Sequence, residues 1–289
     1  MKLAVFKVLG ETFKRFNEDK CWNSAIIISY FAFLCAVPLV ALFVFATTKI
    51  VGTSEPALRS LNLFSDEFFA KLDPSFFKKL QEVSGNISNL GWFGLVGSLV
   101  AASFVFSNLI YSINVIFRTK YQKSFFYNRL IEYSIMFMMG IILLISLSIT
   151  AIWTAFHRAF QESEFVATHM NPNTIALVNN FFIQYVVPLA LTFLFLFILY
   201  KFIPEVKVHT APAALAAVII AVLWEAFKRI FAFYVANFSA IGIVLSKFVR
   251  GTLTSTIFFM LWISFSLVMM LWGAELAAVL NERKNAKAI

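Results

Sequence analysis

The chain has 289 residues, of which 61% are hydrophobic and only 13% are charged, and its formal net charge is +9. Soluble domains carry about 25% charged residues. A soluble globular protein is therefore excluded, because folding in water would leave far too much apolar surface exposed. The positive charge does not indicate nucleic-acid binding, since lysine and arginine concentrate between the apolar stretches, where they orient membrane proteins and meet anionic headgroups.

The N-terminal segment, residues 1–23, is predicted to hold a cytoplasmic helix lying in the headgroup layer. Apolar residues recur at helical spacing within residues 2–17, with basic residues among them, as interfacial helices require. The apolar positions are Val5, Phe6, Leu9, Phe13 and Phe16, and the basic positions are Lys7, Lys14 and Arg15. The alternative is an ordinary cytosolic helix packed on the rest of the protein. The mixed polar composition before residue 24 does not indicate a cleavable signal peptide.

Six long apolar stretches follow, and each is long enough to cross a membrane. A helix needs about 20 apolar residues to span a hydrocarbon core about 30 Å thick. The stretches are Ser24–Thr48, Trp92–Phe117, Ile131–Phe156, Leu177–Ile203, Ala211–Val235 and Thr252–Leu280. The sequence therefore predicts an all-α polytopic membrane bundle of six transmembrane helices, in a single domain of residues 1–289, with a short cytoplasmic tail at 281–289.

The connection between the first two stretches, residues 49–91, is too long for a simple turn. Leu61, Phe64, Phe68, Leu72 and Phe76 begin one apolar stripe within it, which predicts amphipathic helices on the outer surface. Such an outer amphipathic loop covers a cavity mouth or rests on the outer leaflet in one interpretation. In the other it packs on top of the bundle.

The distribution of basic residues predicts the orientation of the bundle. The two terminal segments and the two connections on their side contain 14 lysines and arginines, whereas the opposite connections contain 8. Because cytoplasmic segments carry the excess of Lys and Arg, both termini are expected in the cytoplasm. The predicted location is the bacterial cytoplasmic (inner) membrane.

Charged residues inside the apolar stretches are the first candidates for function. A charge at the centre of a span costs about 2.5–3.5 kcal/mol on insertion scales. Glu225, Lys228 and Arg229 share the fifth stretch at spacings that permit an internal ion pair. In one interpretation they form a charged site at the outer mouth of a pathway that meets anionic groups, and in the other a self-neutralised interfacial cluster that anchors the helix. Glu275 lies about 8 Å from the cytoplasmic end of the sixth stretch. In one interpretation it faces an inner vestibule or binds protons. In the other it pairs with a basic residue of a cytoplasmic connection.

Polar residues in the second stretch and two prolines are further candidates for a transport pathway. The polar residues are Ser103, Ser107, Asn108, Tyr111 and Asn114, and such side chains either line a wet cavity or hold helices together by hydrogen bonds. Pro38 and Pro188 lie inside the first and fourth stretches and are expected to bend them. Bent helices border transport paths in some proteins and only help packing in others.

No motif predicts catalysis, a metal site or a cofactor. His157, His169 and His209 lie in separate connections, without the spacing that zinc sites use. Nucleotide-binding loops and nucleophile elbows are also absent from the sequence. Cys21 and Cys35 give no disulfide framework and are interpreted as small packing residues.

Several motifs, with their intervals, resemble the YihY/BrkB family of bacterial inner-membrane proteins, formerly labelled ribonuclease BN. They are Tyr30–Phe31 with Pro38 eight positions later, Leu199–Pro204, Ala211–Leu215, Leu223–Glu225, Gly251–Leu253 and Leu271–Leu276. The resemblance implies six helices with both termini inside. It also implies a poorly defined role, linked to envelope integrity, serum resistance and, speculatively, lipid export.

Three hypotheses for function follow. The leading one is a transporter or exporter of an amphiphilic or anionic envelope molecule such as a lipid, with Glu225, Lys228, Arg229 and Glu275 as its site. The second is a non-transporting scaffold for envelope integrity, and the remote third is a ribonuclease. Membrane lipids, and in the second case envelope proteins, are the expected partners, and nucleic acid is not. The sequence leaves the substrate, the energy coupling and any homo-oligomer open.

Overall fold

The fold was analysed in a computed structural model, which describes residues 2–35, 92–119, 126, 130, 131, 133–135, 137, 138, 186–237 and 252–286. These residues form helices and short connections, with no strand among them. The helices are α1 (Lys2–Glu18), α2 (Cys21–Cys35), α3 (Trp92–Ile116), α4 (Val187–Phe202), α5 (Thr210–Asn237) and α6 (Thr252–Ala286). Residues 130, 131, 133–135, 137 and 138, at the start of the predicted third span, are also helical.

Two helix ends carry a non-glycine residue in the left-handed conformation. Lys20 (φ 52°) follows α1, and Arg118 (φ 52°) follows α3. At the end of α3 the amide N–H of Arg118 donates to the carbonyl of Val115 and that of Thr119 to the carbonyl of Asn114, the pattern of a Schellman motif. Because this motif usually has glycine at the left-handed position, surrounding contacts must hold the two basic residues there.

Helix α6 is the centre of the described bundle and packs against α1, α3, α4 and α5. Its residues from Met270 to Val279 are almost all buried, and small side chains are frequent on both α5 and α6. The buried alanines are Ala213, Ala216, Ala217 and Ala221 on α5, and Ala274, Ala277 and Ala278 on α6. Membrane helices associate through such small residues because these let the backbones approach closely.

Helix α2 contacts both α3 and α6 through a few side chains. The hydroxyl of Ser264 donates to that of Ser29 at 2.9 Å, which joins α6 to α2. The rings of Phe31 and Phe104 stack with centroids 5.8 Å apart, which joins α2 to α3. Polar contacts between apolar helices therefore supplement the apolar packing here.

The described N-terminal and C-terminal helices meet at one end of the bundle, which we call the terminal end. Glu11 of α1 contacts Arg283 of α6, and Arg118 after α3 lies near Asp19 after α1. The connection between α4 and α5 reaches the same end, because His209 contacts α6 there. The described parts of the basic segments that the orientation prediction groups together thus lie together. The compartment that they face remains a prediction.

Two described helices are long and apolar enough to cross a membrane by length and composition, Thr210–Phe231 and Ile257–Ala286. The apolar helices Cys21–Cys35, Ala102–Ile116 and Val187–Phe202 are shorter as described. The outward side chains of these long and short apolar helices include Ile26 on α2, Phe104 on α3 and Val222 on α5, which are about half exposed. An apolar outer surface of this kind fits contact with lipid and not with water.

Several predictions fall on residues that the structure does not describe. These are the outer amphipathic loop at 49–91, the bend at Pro38, most of the span at 131–156 and the ends of the spans at 24–48 and 177–203. The count of six spans therefore remains a prediction. Pro188 lies in the first turn of α4 as described, so its predicted bend depends on preceding residues outside the described part.

The closest approach in the core is at Gly273 of α6. A Cβ atom added there would overlap the hydroxyl of Tyr200 and a side-chain carbon of Ile220. Tyr200 is held in this position because its hydroxyl donates to the carbonyl of Met270 at 2.8 Å. Glycine at position 273 is thus required by contact between α4, α5 and α6.

We predict that Gly273→Ala destabilises the protein, although alanine favours a helix by about 1 kcal/mol over glycine. Overpacking in a filled core costs about 1–3 kcal/mol, which outweighs that gain. Thermal unfolding of the purified protein in detergent measures the effect. Gly97→Ala on α3 is the matched control, since a Cβ there meets nothing within 4 Å. Equal stability of the Gly273 variant and the wild type would contradict this packing.

Candidate functional site

Glu275 is a fully buried acidic side chain in the centre of the bundle. It lies on α6 at 0% exposure, two residues after Gly273. The thiol of Cys21 on α2 donates to its Oε1 at 3.8 Å, whereas its Oε2 has no hydrogen-bond partner. Buried carboxyl groups normally have every oxygen satisfied, so this incomplete pairing marks Glu275 as a candidate functional group.

Two charged residues of the N-terminal segment approach Glu275 at the terminal end. The carboxyl group of Asp19, in the turn between α1 and α2, lies within hydrogen-bonding reach of Glu275, and Arg15 attracts it by charge. Neither Oδ2 of Asp19 nor Oε2 of Glu275 has a hydrogen-bond donor. The guanidinium group of Arg118 is 4.0 Å from that Oδ2. Two acidic and two basic groups thus meet where α1, α2, α3 and α6 converge.

An ion-pair network, formed by Glu11, Arg15, Glu282 and Arg283, fastens α1 to the end of α6. Nη2 of Arg15 donates to Oε1 of Glu11 at 2.9 Å and to Oε2 of Glu282 at 2.7 Å. Nη2 of Arg283 donates to Oε2 of Glu11 at 2.6 Å. The hydrogen bond from Arg283 holds the pKa of Glu11 below its ordinary value against the opposing effect of burial. The hydrogen bond to Glu282 likewise raises the pKa of Arg15.

The connection between α4 and α5 is held against α3 and α6 by amide side chains. Oδ1 of Asn114 accepts from the backbone N–H of Glu205 at 3.0 Å. Oδ1 of Asn281 accepts from the N–H of His209 at 2.9 Å, and Lys201 donates to the carbonyl of Val208. A cleft of about 290 Å³ opens beside this connection, lined by Phe117, Val206, Lys207, Ala278, Asn281, Glu282 and Asn285.

The predicted ion pair on α5 forms in the structure. Oε1 of Glu225 is 2.6 Å from Nζ of Lys228, and both side chains are mostly buried. The contact does not have hydrogen-bond geometry at Oε1, so the attraction is mainly that of opposite charges. Arg229 points to the exposed side of α5. The pair begins about 22 Å from the start of α5 and is thus far from Glu275.

Aromatic rings surround this ion pair on the neighbouring turns of α5 and α6. Phe227 stacks on Trp262 with centroids 5.2 Å apart, and Trp224 meets the same ring edge-on at 5.8 Å. Phe231 also packs against Trp262 at 5.0 Å. The ion pair is therefore placed beside an aromatic contact between the two helices.

The five polar residues predicted for α3 do not form one continuous lining. Ser103 and Asn114 are buried, whereas Tyr111 is 58% exposed on the outside of the helix. Asn108 donates to the carbonyl of Phe104 in its own helix, and Ser107 is partly buried. Asn114 serves the connection between α4 and α5. Packing therefore accounts for Asn114, and the remaining members stay candidates for a pathway.

Sequence reasoning missed the neighbours of Glu275. Arg15 was counted only as an orienting charge, and Asp19 was not singled out because it precedes the first apolar stretch. Cys21 was interpreted as a packing residue, which is right as to its burial but omits its contact with Glu275. Helical spacing cannot bring together residues more than 250 positions apart. The available signal was a set of charges immediately before a predicted span.

Among the described residues, no group of three histidine, cysteine, aspartate or glutamate side chains is arranged to hold a metal ion. The acidic pair and Cys21 meet at one point, but they do not form such a group. The arrangement can hold a proton or contact a polar group. It can also transmit a movement of α1 to the centre of α6, because Arg15 of α1 pairs with Glu282 and attracts Glu275, which both lie on α6.

Comparison with known proteins gives a family match and several relatives. The sequence model of a family described as virulence factor BrkB matches residues 12–288. A UPF0761 membrane protein of Acinetobacter baylyi is 28% identical over 285 residues, or 96% of this chain and 62% of that longer protein. One of Alteromonas mediterranea is 27% identical over 97% of this chain and 90% of its own length. One of Vibrio campbellii is 24% identical over 94% and 81%. No solved structure matches the chain.

We predict that acid loosens α1 from α6. Because the pKa of Glu11 is lower in the folded protein than in the unfolded chain, its carboxylate stabilises docking above the ordinary glutamate range. That stabilisation is lost as the pH falls through the lowered value. Spin labels at Lys7→Cys and Lys284→Cys report the distance between the helices, while Cys21 and Cys35 are buried and stay unlabelled.

At neutral pH, Glu11→Gln is expected to broaden that distance distribution, because it weakens two ion pairs and costs about 1 kcal/mol of docking. Glu18→Gln is the matched control, since its ion pair with Lys14 is long, at 3.7 Å, and exposed. A narrow distribution in the Glu11 variant, or equal broadening in the control, would show that the network does not hold α1.

Proposed function

The chain belongs to the BrkB family of membrane proteins, and from that premise we propose that it moves an amphiphilic or anionic envelope molecule, such as a lipid, across the membrane. The sequence motifs led to the same family. The observation that carries the proposal is the ion pair of Glu225 and Lys228, placed in an apolar helix with only 15–17% of either side chain exposed. Intramembrane charges are costly and mark substrate or ion pathways by default.

The position of this pair suits contact with a headgroup near the surface opposite the terminal end. It begins about 22 Å along α5, in a hydrocarbon core about 30 Å thick. Val222, Leu223 and Ile230 on the neighbouring turns are exposed, so lipid chains can lie against the same helix. Lys228, and with it the exposed Arg229, would then attract an anionic headgroup, while Glu225 neutralises Lys228 when the site is empty.

The proposal includes six spans in the bacterial inner membrane, with both termini in the cytoplasm. The meeting of α1 with the end of α6 supports termini on the same side. Phe6 and Phe13 of α1 are 74% and 56% exposed, beside exposed Lys7 and Lys14. This face suits the headgroup layer of an anionic membrane, while the opposite face of α1 packs on α6. The two interpretations of this helix are therefore compatible.

Glu275 would act on the cytoplasmic side, as part of an inner gate. It is buried beneath the turn between α1 and α2, so a movement of that turn would change its surroundings. Alternating access needs two arrangements of the helices. The ion-pair network that docks α1 provides contacts that differ between such arrangements.

A scaffold for envelope integrity is the second candidate, and one observation favours it. The half of α6 near the terminal end is filled by small residues, and Gly273 leaves no space against Tyr200 and Ile220. A densely packed bundle predicts that neutral substitutions at Glu225 leave function in the cell unchanged. A ribonuclease remains the remote alternative, and we propose that the protein is not an enzyme. Cleavage of transfer RNA by the pure protein with divalent metal, lost on mutating one acidic residue, would establish the nuclease.

We predict that liposomes containing the protein and an anionic fluorescent phospholipid show lipid movement between leaflets, with or without a proton gradient. Lys228→Gln is expected to slow this movement roughly tenfold, because a hydrogen bond to a charged group contributes about 1.5–3 kcal/mol. Quenching of the outer-leaflet fluorophores by a membrane-impermeant reductant measures the rate.

Lys14→Gln is the matched control for this experiment, because it removes one lysine from the exposed face of α1 and leaves α5 unchanged. Its rate should equal that of the wild type. Lack of lipid movement by the wild type under both conditions would remove the transport proposal. Equal rates of the Lys228 variant and the control would remove the assigned site.

A further inference from the structure

In the described part of the chain, three of the five buried side-chain atoms without a hydrogen-bond partner belong to Glu275 and the two charged residues that approach it. Nη1 of Arg15, Oδ2 of Asp19 and Oε2 of Glu275 are all buried without a hydrogen-bond partner. Asp19 and Arg15 each interact with Glu275. A buried polar group without a partner is unfavourable. Oδ2 of Asp19 and Oε2 of Glu275 are both acceptor atoms when ionised, so a donor shared by the two carboxyl groups would satisfy both.

The chemistry of two facing carboxyl groups indicates what that group is. An ionised carboxylate only accepts hydrogen bonds, whereas a protonated one also donates. Asp19 and Glu275 lie within hydrogen-bonding reach, so a hydrogen bond between them requires one proton. Two carboxylates that share a site do not readily carry both charges, and the pair retains one proton.

The charges around the pair match a single remaining negative charge. Arg15 faces Glu275 from α1, and Arg118 faces Asp19 from the end of α3, at 4.0 Å. Arg15 already pairs with Glu11 and Glu282, and Arg283 also pairs with Glu11. From α2, Cys21 contributes a neutral thiol that donates to Glu275. The surroundings therefore stabilise one acidic charge and leave the second uncompensated.

The backbone also holds Asp19 in place. Lys20 directly after it and Arg118 opposite it are the non-glycine residues with positive φ in the described part of the chain. A non-glycine residue in this conformation is locally unfavourable. Two such residues around one carboxyl group indicate that its position beside Glu275 is maintained against local preference.

We propose that Asp19 and Glu275 form a proton-binding site, in which one shared proton ties the turn between α1 and α2 to the centre of α6. With the proton bound, Oδ2 and Oε2 are joined by a hydrogen bond. When it is lost, two neighbouring negative charges repel, and the turn is released from α6. The ligand is a proton, and the site exists whether or not the protein transports a lipid.

Infrared spectroscopy of the full chain in detergent tests this site, because a protonated carboxyl group has its own absorption band. At neutral pH ordinary carboxyl groups are ionised, so the wild type should show one protonated carboxyl group, which disappears as the pH rises. In Glu275→Gln the band should be absent. In Asp19→Asn it should persist but disappear at a lower pH, by about one pH unit or more, because the repelling charge is gone.

Glu225→Gln is the matched control, since it neutralises an intramembrane glutamate that is paired with a lysine, and it should leave the band unchanged. Lack of a titrating band in the wild type, or its survival in Glu275→Gln, would overturn the proposal. An unchanged titration in Asp19→Asn would show that Glu275 holds the proton alone and would overturn the shared site. If Glu275→Gln does not fold, the Asp19 variant decides by itself.

Stability gives a second and independent measurement. A proton held more tightly in the folded state stabilises that state at low pH, and the stabilisation is lost as the pH rises through its release. The thermal midpoint of the wild type should therefore fall on the alkaline side, whereas that of Glu275→Gln should not, because its amide donates to Asp19 permanently. Parallel pH curves for the two proteins would overturn the proposal. This result does not depend on lipid movement in liposomes.

Discussion

The structure depends on the close packing of α6 against its neighbours. Between Met270 and Val279 this helix is surrounded by α1, α4 and α5, so its side chains must be small or must fit one neighbour. Gly273 accepts the ring of Tyr200, and alanines fill the contact with α5. In lipid there is little hydrophobic gain from helix association, so van der Waals contact at short distance supplies the stabilisation. This requirement explains why the small residues of the sequence are concentrated here.

The same packing makes Glu275 unusual. A carboxyl group enclosed by tightly packed helices cannot reach water, and its neighbours must satisfy it or remove its charge. Cys21 satisfies one oxygen. Asp19, which the N-terminal segment brings to the terminal end, lies within hydrogen-bonding reach of the carboxyl group. The ion-pair network that holds α1 on α6 is therefore also what completes the surroundings of Glu275. Packing, charge and the position of the N-terminal helix are coupled at one place.

The two acidic sites differ in their surroundings and suit different roles. Glu225 is paired with Lys228 on the same helix, between an aromatic contact and exposed apolar residues, which suits an anionic headgroup. Glu275 is enclosed by the bundle beside the turn between α1 and α2, which suits a proton. A transporter needs both kinds of site, one for the cargo and one for control. A scaffold needs neither, which is why neutral substitutions at these residues distinguish the two functions.

The sequence by itself determined the membrane class, the helical nature of the described elements, the family and the ion pair on α5. These features follow from local composition, from spacing along one helix or from motifs, and each can be read within a single segment. The length of the apolar stretches indicates that the helices lie in lipid. A spacing of three residues along one helix places Glu225 and Lys228 within reach of each other. Only the tertiary structure decided that Asp19 and Cys21 lie beside Glu275, that Arg15 joins α1 to α6, and that Gly273 faces Tyr200. Those contacts join residues from 73 to more than 250 positions apart, and no periodicity along the chain encodes which helix packs against which.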